Sequence, residues 1–340
     1  MRSVCHNEST LPASQRSTHF QKDLPSEKGN SDRPKPTAID NTLLLKNGIS
    51  YVKASVINYI RLTKITCHLY QSHLAPSFSP NNRPYSGGGI PMQEREAQIK
   101  TNDGVVDTFI CHPDEGGPFP PIIIYMDAPG MREELRDMAR RLGTVGYYVM
   151  LPNLYYRTGR EGEYGYDLAK IRIDDAEREK MFQVMRTLTN ASIVSDTQPL
   201  LTYARNDDAS TQGPFGCIGY CMSGQFVVSI GASYPDDFAA IASFYGVGIV
   251  TDKEDSPHLT AHRIKGSLYL AFASNDPFVP QSLLDSLPEI MEQAGTNHRI
   301  EIYPDTEHGF AFPQRPVYVK SAGERHWERL FALFAKELHH

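Results

Sequence analysis

The chain has no long apolar run. None of its segments reaches the ~18 consecutive apolar residues that a membrane-spanning helix needs. Its first residues also lack the compact apolar segment of a secretory signal. These absences predict a protein that has no membrane partner and carries no secretory signal.

The chain also has few cysteines and no net positive charge. The five cysteines, at positions 5, 67, 111, 217 and 221, do not have the spacing of a disulfide framework or of a Cys/His metal site. We therefore expect a reducing compartment, most simply the cytoplasm, and no metal site. The formal net charge of -6 argues against nucleic acid as a partner.

Acidic residues are absent from residues 41–93. Residues 1–40 are rich in Ser, Pro, Asn, Asp and Lys, a composition typical of disorder. We expect residues 1–90 to be a poorly ordered N-terminal extension and linker, and residues 91–340 to form one folded domain. An alternative for residues 42–74 is an amphipathic membrane or partner segment. A transit peptide is a further alternative for the extension, although the acidic residues scattered through 1–40 weaken it.

From about residue 91, apolar strands alternate with amphipathic helices. The predicted strands are 96–101, 105–111, 121–126, 147–151, 214–219, 239–244, 267–273 and 299–303. The predicted helices are 132–145, 174–188, about 193–205, 223–234, 281–294 and 317–338. This order predicts an α/β fold, with a mostly parallel central sheet covered by helices on both faces. Reactive groups should then gather beyond the carboxyl ends of the strands.

Cys221 stands in a segment with the pattern of a nucleophile elbow. The segment Gly219-Tyr-Cys-Met-Ser-Gly224 follows an apolar strand and precedes a buried helix. A sharp strand-to-helix turn needs small residues two positions either side of the reactive residue, and Gly219 and Ser223 supply them. The N-terminus of the following helix would favour a thiolate at Cys221. The pattern therefore favours a reactive cysteine over a buried structural one.

Two later strand ends supply partners for this thiol. Asp276 ends one apolar strand, and His308 lies in the loop after the next strand. Nucleophile, acid and histidine follow one another in this order in α/β-hydrolases, where the acid orients the histidine that takes the proton of the nucleophile. We therefore predict a triad of Cys221, Asp276 and His308. His258 is a rival histidine that could line the pocket, and His326 is expected to be structural or exposed.

The loop after strand 121–126 should complete the site. An oxyanion hole would use the backbone N–H of Met222 and a second N–H from this loop. Pro129 has no N–H, which leaves Ala128 as the second donor. Asp127 ends the same strand, so we expect its carboxylate to face the thiol.

Taken as an ordered set, these segments resemble the dienelactone hydrolase family of α/β-hydrolases. The similar segments begin at Tyr125, Gly146, Gly219, Asp276 and His308 and span roughly residues 91–338. The resemblance implies an α/β-hydrolase fold and a Cys-Asp-His triad. It also implies hydrolysis through a thioester acyl-enzyme that needs no metal or cofactor.

The chain departs from the family pattern at two positions. Better-known members carry Glu, which interacts with the thiol, where this chain has the shorter Asp127. Members that open dienelactones bind the substrate carboxylate with two arginines. One of these matches Arg157, and the other falls on Phe312, so one charge-assisted contact would be lost. Arg132 is a further candidate for anion recognition.

We therefore expect a cysteine-dependent hydrolase whose partner is a small-molecule lactone or carboxylic ester. A broad carboxylesterase or thioesterase is an alternative within the same chemistry. A noncatalytic module with a redox-sensitive cysteine is an alternative of another class. The sequence leaves the oligomeric state open.

Overall fold

The computed structural model describes residues 92–339. The predicted extension, residues 1–90, lies outside the described residues, and its predictions stay predictions. Within the described part the chain forms eight strands. They are β1 Met92–Lys100, β2 Val105–Pro113, β3 Pro121–Tyr125, β4 Tyr148–Pro152, β5 Phe215–Tyr220, β6 Phe238–Phe244, β7 Ser267–Asn275 and β8 His298–Glu307.

The eight strands form one sheet in the order β1-β2-β4-β3-β5-β6-β7-β8. The β1–β2 and β2–β4 pairs are antiparallel, and every pair from β4 to β8 is parallel. All residues of β3 and β5 are buried, as expected for central strands covered on both faces. The predicted α/β class with a mostly parallel sheet is confirmed.

Six α-helices accompany the strands in the described part of the chain. They are α1 Glu133–Gly143, α2 Asp175–Met185, α3 Asn190–Arg205, α4 Ser223–Ser233, α5 Gln281–Gln293 and α6 Lys320–Leu338. Helices α4 and α6 cover opposite faces of β5. A Cβ at Gly219 would meet Val227 of α4, whereas a Cβ at Gly216 would meet Phe334 of α6.

Most predicted elements agree with the observed ones to within a few residues at each end, but three features differ. The 3₁₀ helix Pro257–Arg263 was not predicted, and α6 begins at Lys320 rather than at residue 317. Strand β8 continues to Glu307 because its pairing with β7 resumes after a register shift at Ala273/Asn275. The last pair is Asn275 with Glu307, so residues 276 and 308 emerge side by side at the carboxyl edge of the sheet.

Candidate active site

Cys221 is the first residue after β5 and has a left-handed backbone conformation, with φ of 56°. This conformation is uncommon for a residue with a side chain and marks strained turns at functional sites. A side chain is excluded at Gly219, because a Cβ there would lie 2.3 Å from the carbonyl oxygen of Ser223. The small flanking residues thus permit the tight turn, and Cys221 stays partly exposed.

Hydrogen bonds fix the turn to its neighbours. The Cys221 carbonyl accepts from the N–H groups of Val247 at 3.0 Å and Gly224 at 3.1 Å. The Ser223 hydroxyl donates to the carbonyl of Met126 at 2.5 Å, which ties the first residue of α4 to the end of β3. The thiol therefore lies on a rigid support beside the N-terminus of α4, where the helix dipole favours negative charge.

His308 and Asp276 are joined at the carboxyl edge of the sheet. The Nδ1–H group of His308 donates to Oδ2 of Asp276 at 2.8 Å. The second carboxylate oxygen accepts from the N–H of Phe278 at 2.9 Å. The side chains are 8% and 0% exposed, so this pair is held in one orientation. Nε2 of His308 is buried and bonds to no nitrogen or oxygen within residues 92–339, and the Cys221 thiol lies close enough to act on the ring through its charge and a hydrogen bond.

The charge state of His308 depends on its neighbours. Burial lowers the pKa of His308, but the charge of Cys221, together with the hydrogen bond and charge of Asp276, raises it from 6.5 to about 9. This effect of Cys221 requires the thiol to lie near the imidazole, because charge interactions weaken with distance. The site therefore favours an imidazolium at His308 when Cys221 is a thiolate.

Tyr155 connects the two residues predicted to supply oxyanion donors. Its hydroxyl donates to the carbonyl of Ala128 at 2.9 Å and lies 3.4 Å from Sδ of Met222. The side chain is 1% exposed, so it is a rigid bridge between the loop after β3 and the elbow. The N–H groups of Ala128 and Met222 find no acceptor among the described residues. Both donors are therefore free to bind an oxyanion.

Asp127 is fully buried, and its carboxylate is shared by two arginines. Nη1 of Arg132 lies 2.5 Å from Oδ1, Nη2 lies 3.2 Å from Oδ2, and Arg315 pairs with Oδ2. Burial acts to raise the pKa of Asp127, but the two arginine charges outweigh it and lower the pKa below its ordinary value. Among the described residues, the predicted contact between this carboxylate and the thiol is not found, because both carboxylate oxygens face guanidinium groups.

Arg315 is the site residue that the sequence analysis missed. It follows His308 by seven residues in the printed sequence and folds back beneath the loop. The loop turns at Gly309, whose φ of 95° favours glycine, and Nη1 of Arg315 returns to within 2.5 Å of where a Cβ at Gly309 would lie. The sequence gives little indication that Arg315 reaches the site, because a spacing of seven residues across a loop has no fixed geometry.

Phe312, which was matched to the position of a substrate-binding arginine, is fully buried. It is 0% exposed, and the guanidinium carbons of Arg132 and Arg315 lie over its ring, 5.0 and 4.9 Å from the ring centre. It supports both cations by cation–π contact. Arg315 lies three residues later in the chain, and its guanidinium pairs with Asp127.

Glu134 fixes the other side of the same cluster. It is 4% exposed, binds Arg132 at 2.9 Å and accepts from the N–H of Gln314 at 2.8 Å. The first turn of α1 therefore fixes the loop that carries Arg315. Because Asp127 and Glu134 together occupy the Arg132 guanidinium, the structure does not support the predicted role of Arg132 in substrate binding.

The structure does not bring Arg157 or His258 to the predicted triad. Arg157 pairs with Asp103 at 2.6 Å and with Asp196 at 2.8 Å. These carboxylates hold its guanidinium between the β1–β2 turn and α3, and the predicted substrate contact is not supported. His258 bonds to the hydroxyl of Ser256 at 2.8 Å, and no contact with the triad appears in the described part of the chain.

Known proteins share this arrangement of elements. Residues 106–338 match the model of the dienelactone hydrolase family. The chain belongs to the dienelactone hydrolase family. It is 30% identical over 233 residues to a Synechocystis protein that bears the name carboxymethylenebutenolidase, covering 68% of this chain and 91% of that protein. A Methylorubrum extorquens protein of the same name is 27% identical and is covered over 78% of its length, for 69% of this chain.

Solved structures show the same fold. A dienelactone hydrolase structure from Klebsiella pneumoniae aligns with a TM-score of 0.64 at 22% identity, covering 72% of this chain and 99% of that one. One from Anabaena variabilis aligns with a TM-score of 0.53 at 16% identity, covering 73% and 100%. The predicted α/β-hydrolase fold is confirmed, and family membership makes this chain an ester-bond hydrolase.

The described residues contain no helix that is both long and apolar enough to span a membrane.

Proposed function

We propose that this dienelactone hydrolase family member hydrolyses a small lactone or carboxylic ester through a thioester at Cys221. The observation that carries the proposal is the His308–Asp276 pair. Its 2.8 Å hydrogen bond leaves Nε2 of His308 for the thiol of Cys221, whose charge acts on the ring. This pair supports the proposal that Cys221 is the nucleophile, His308 its base and Asp276 the orienter of that base.

In the first half of the reaction, Nε2 of His308 takes the proton of Cys221, and the thiolate attacks the substrate carbonyl carbon. The oxyanion accepts hydrogen bonds from the N–H groups of Ala128 and Met222. Asp276 stabilises the imidazolium through Nδ1. His308 then protonates the alkoxide oxygen as the C–O bond breaks, which leaves a thioester on Cys221.

In the second half, His308 takes a proton from a water molecule that attacks the thioester carbonyl. Collapse of this intermediate breaks the C–S bond, releases the carboxylic acid and returns the proton to the sulfur. A lactone yields one ring-opened product, whereas an open ester yields an alcohol and an acid.

The test compares the Cys221→Ala variant with wild type on p-nitrophenyl acetate and on a dienelactone. We expect the variant to lose at least about 10³-fold in kcat/KM, as removal of a nucleophile does. Cys217→Ala is the matched control, because Cys217 is buried within β5 and should leave the rate unchanged. Equal rates for Cys221→Ala and wild type would reject the proposal, and a transient acetyl adduct on the Cys221 peptide would support it directly.

A substrate panel separates the proposed class from a broad carboxylesterase or thioesterase. Phe312 falls where members that open dienelactones have a second arginine, but it is fully buried. Family membership favours the dienelactone, whose carboxylate is the distinguishing group, and we expect it to be hydrolysed with higher kcat/KM than an acyl thioester of similar size. The reverse order would favour the thioesterase.

A further inference from the structure

Tyr245 occupies the position next to Cys221 at the carboxyl edge of the sheet. In the β5–β6 pair, Tyr220 is opposite Phe244, so Cys221 and Tyr245 are each the first residue beyond neighbouring parallel strands. Neighbouring strands are separated by about 4.8 Å. The Cys221 N–H donates to the Phe244 carbonyl at 3.2 Å, which holds the two chain segments together at this point.

Both residues have the same unusual backbone. Cys221 has φ of 56° and Tyr245 has φ of 40°. A left-handed conformation is a marked outlier for a bulky residue, and such outliers gather at functional sites. The 2.7 Å hydrogen bond from the Tyr245 N–H to the Ala271 carbonyl keeps the outlier in place. The sheet edge therefore maintains a costly conformation that aims this tyrosine inward.

The hydroxyl of Tyr245 is buried without a partner. The residue is 0% exposed, and its ring packs at 5.1 Å from the His308 ring and 5.4 Å from the Phe310 ring. No hydrogen-bond partner for the hydroxyl is found in residues 92–339. An unpaired buried hydroxyl destabilises the folded state, so phenylalanine would be the more stable residue here if only packing mattered.

The surroundings make this hydroxyl a donor. Burial raises the pKa of Tyr245 well above its ordinary value, so the phenol keeps its proton. The charges of Arg315, Asp127 and Cys221 all act on this phenol, and its ring contacts that of His308 at 5.1 Å. A fixed donor with no other partner suits the negative charge of a thiolate.

We propose that the Tyr245 hydroxyl donates a hydrogen bond to the Cys221 thiolate that forms when His308 Nε2 takes the thiol proton. The phenol keeps its own proton throughout, so the step moves only one proton, from sulfur to Nε2. The proposal rests on the proposed function in one respect, namely that Cys221 is the group that becomes charged.

The test measures thiolate formation without any ester substrate. The full chain is alkylated with iodoacetamide across a pH range, and the rate at Cys221 is followed by mass spectrometry of its peptide. We expect Tyr245→Phe to move the midpoint of the rate profile upward by about one pH unit. Below that midpoint the thiolate fraction should then be about tenfold lower than in wild type. An unchanged midpoint would overturn the proposal.

Two further comparisons separate this role from a structural one. Tyr125→Phe is the matched control, because its buried hydroxyl already bonds to Thr197 at 2.8 Å. We expect the control to lower the melting temperature and leave the midpoint in place, whereas Tyr245→Phe keeps or raises the melting temperature. A Tyr245→Phe variant less stable than the control would show that the hydroxyl has a structural partner.

The His308→Ala background decides whether the effect acts on sulfur directly. In that background the shift caused by Tyr245→Phe should persist, because the donor bonds to the thiolate and not to the imidazole. Loss of the shift would show that Tyr245 acts only by packing on His308 and would overturn the proposal. Alkylation needs no turnover, so a failure to hydrolyse esters would count against the proposed function alone.

Discussion

Arg315 pairs with Asp127 across 188 residues of sequence, and this buried contact joins the loop after the candidate histidine to the loop that carries a candidate oxyanion donor. Arg132 completes the cluster from the other side at 2.5 Å. Two guanidinium groups on one buried carboxylate fix both loops relative to the elbow. The contact therefore determines site geometry without touching the predicted triad.

Removing Arg315 should weaken the fold. Arg315→Met leaves the carboxylate of Asp127 buried with only Arg132, and we expect a loss of about 3 kcal/mol in the free energy of unfolding. Urea denaturation measures this loss. The matched control is Arg325→Met, because Arg325 forms a half-exposed pair with Glu301 that should contribute less than about 1 kcal/mol. Equal losses of unfolding free energy in the two variants would show that the buried pair stabilises the fold no more than the half-exposed pair.

The His308 imidazole should titrate late. With its pKa raised to about 9, the ring retains through neutral pH the proton that it takes from Cys221, and NMR should give a midpoint near that value. Cys221→Ala removes the neighbouring negative charge, so the midpoint should fall. Since the folded pKa exceeds the unfolded value of 6.5, this proton stabilises the fold fully below pH 6.5 and ceases to do so as pH rises through about 9. An identical midpoint in wild type and in Cys221→Ala would show that Cys221 does not affect the titration of His308.

Asp276→Asn should reduce catalysis without disturbing the fold. The amide can still accept from the Phe278 N–H, but it no longer carries the charge that stabilises the imidazolium at Nδ1. By analogy with the same substitution in serine hydrolases we expect kcat to fall by about 10³–10⁴-fold. Steady-state kinetics on p-nitrophenyl acetate checks this. A variant with wild-type kcat would show that His308 needs no orienting acid.

Acid should destabilise the protein through His326. This residue is fully buried in α6, its Nε2 lies 2.8 Å from the Tyr220 hydroxyl, and burial lowers its pKa from 6.5 to about 3. The unfolded chain binds a proton below pH 6.5 that the folded chain does not, so stability falls by up to ~1.4 kcal/mol per pH unit in that window. Denaturation at pH 7 and pH 5 measures how much stability each protein loses on acidification, and wild type should lose more than His326→Gln. An equal loss in the two proteins would contradict the role of His326.

Gly219→Ala should disrupt the elbow. The new Cβ would lie 2.3 Å from the Ser223 carbonyl oxygen, so the turn or α4 must move, at a cost of about 3 kcal/mol. The control is Gly295→Ala, where φ is 67° and no atom is near, so backbone strain of about 1 kcal/mol is the only cost. Thermal unfolding compares the two variants, and the activity of Gly219→Ala should fall further than that of the control. Matching losses of stability and activity in the two variants would contradict the steric role of Gly219.

Local sequence was a good guide wherever a short-range cause decides the structure. The elbow at Cys221 is an example, because small flanking residues and an apolar strand are readable from six consecutive letters. The contact between Asp276 and His308 was predictable for another reason, namely that parallel strands end at one edge. The two residues that share this edge were predicted because each follows a strand in the sequence. The extension of β8 that brings them side by side was not predicted.

Contacts between loops were not predictable in the same way. Matching Phe312 to an arginine position assumed that a fixed distance from His308 gives a fixed place in space. The loop instead turns at Gly309 and returns Arg315 to Asp127, while Phe312 packs beneath both arginines. Likewise Arg157, matched by motif, bonds to Asp103 and Asp196, which lie far from it in the sequence.

The sequence by itself determined the alternation of strands and helices along the chain, the family and the identity of the elbow, because periodicity, turn chemistry and ordered motifs act over short stretches. Only the tertiary structure decided which cations meet Asp127 and that the buried Tyr245 hydroxyl has no partner among residues 92–339. These depend on where side chains from distant loops converge, and Tyr245 beside Cys221 is a consequence of β5–β6 register that no local pattern contains.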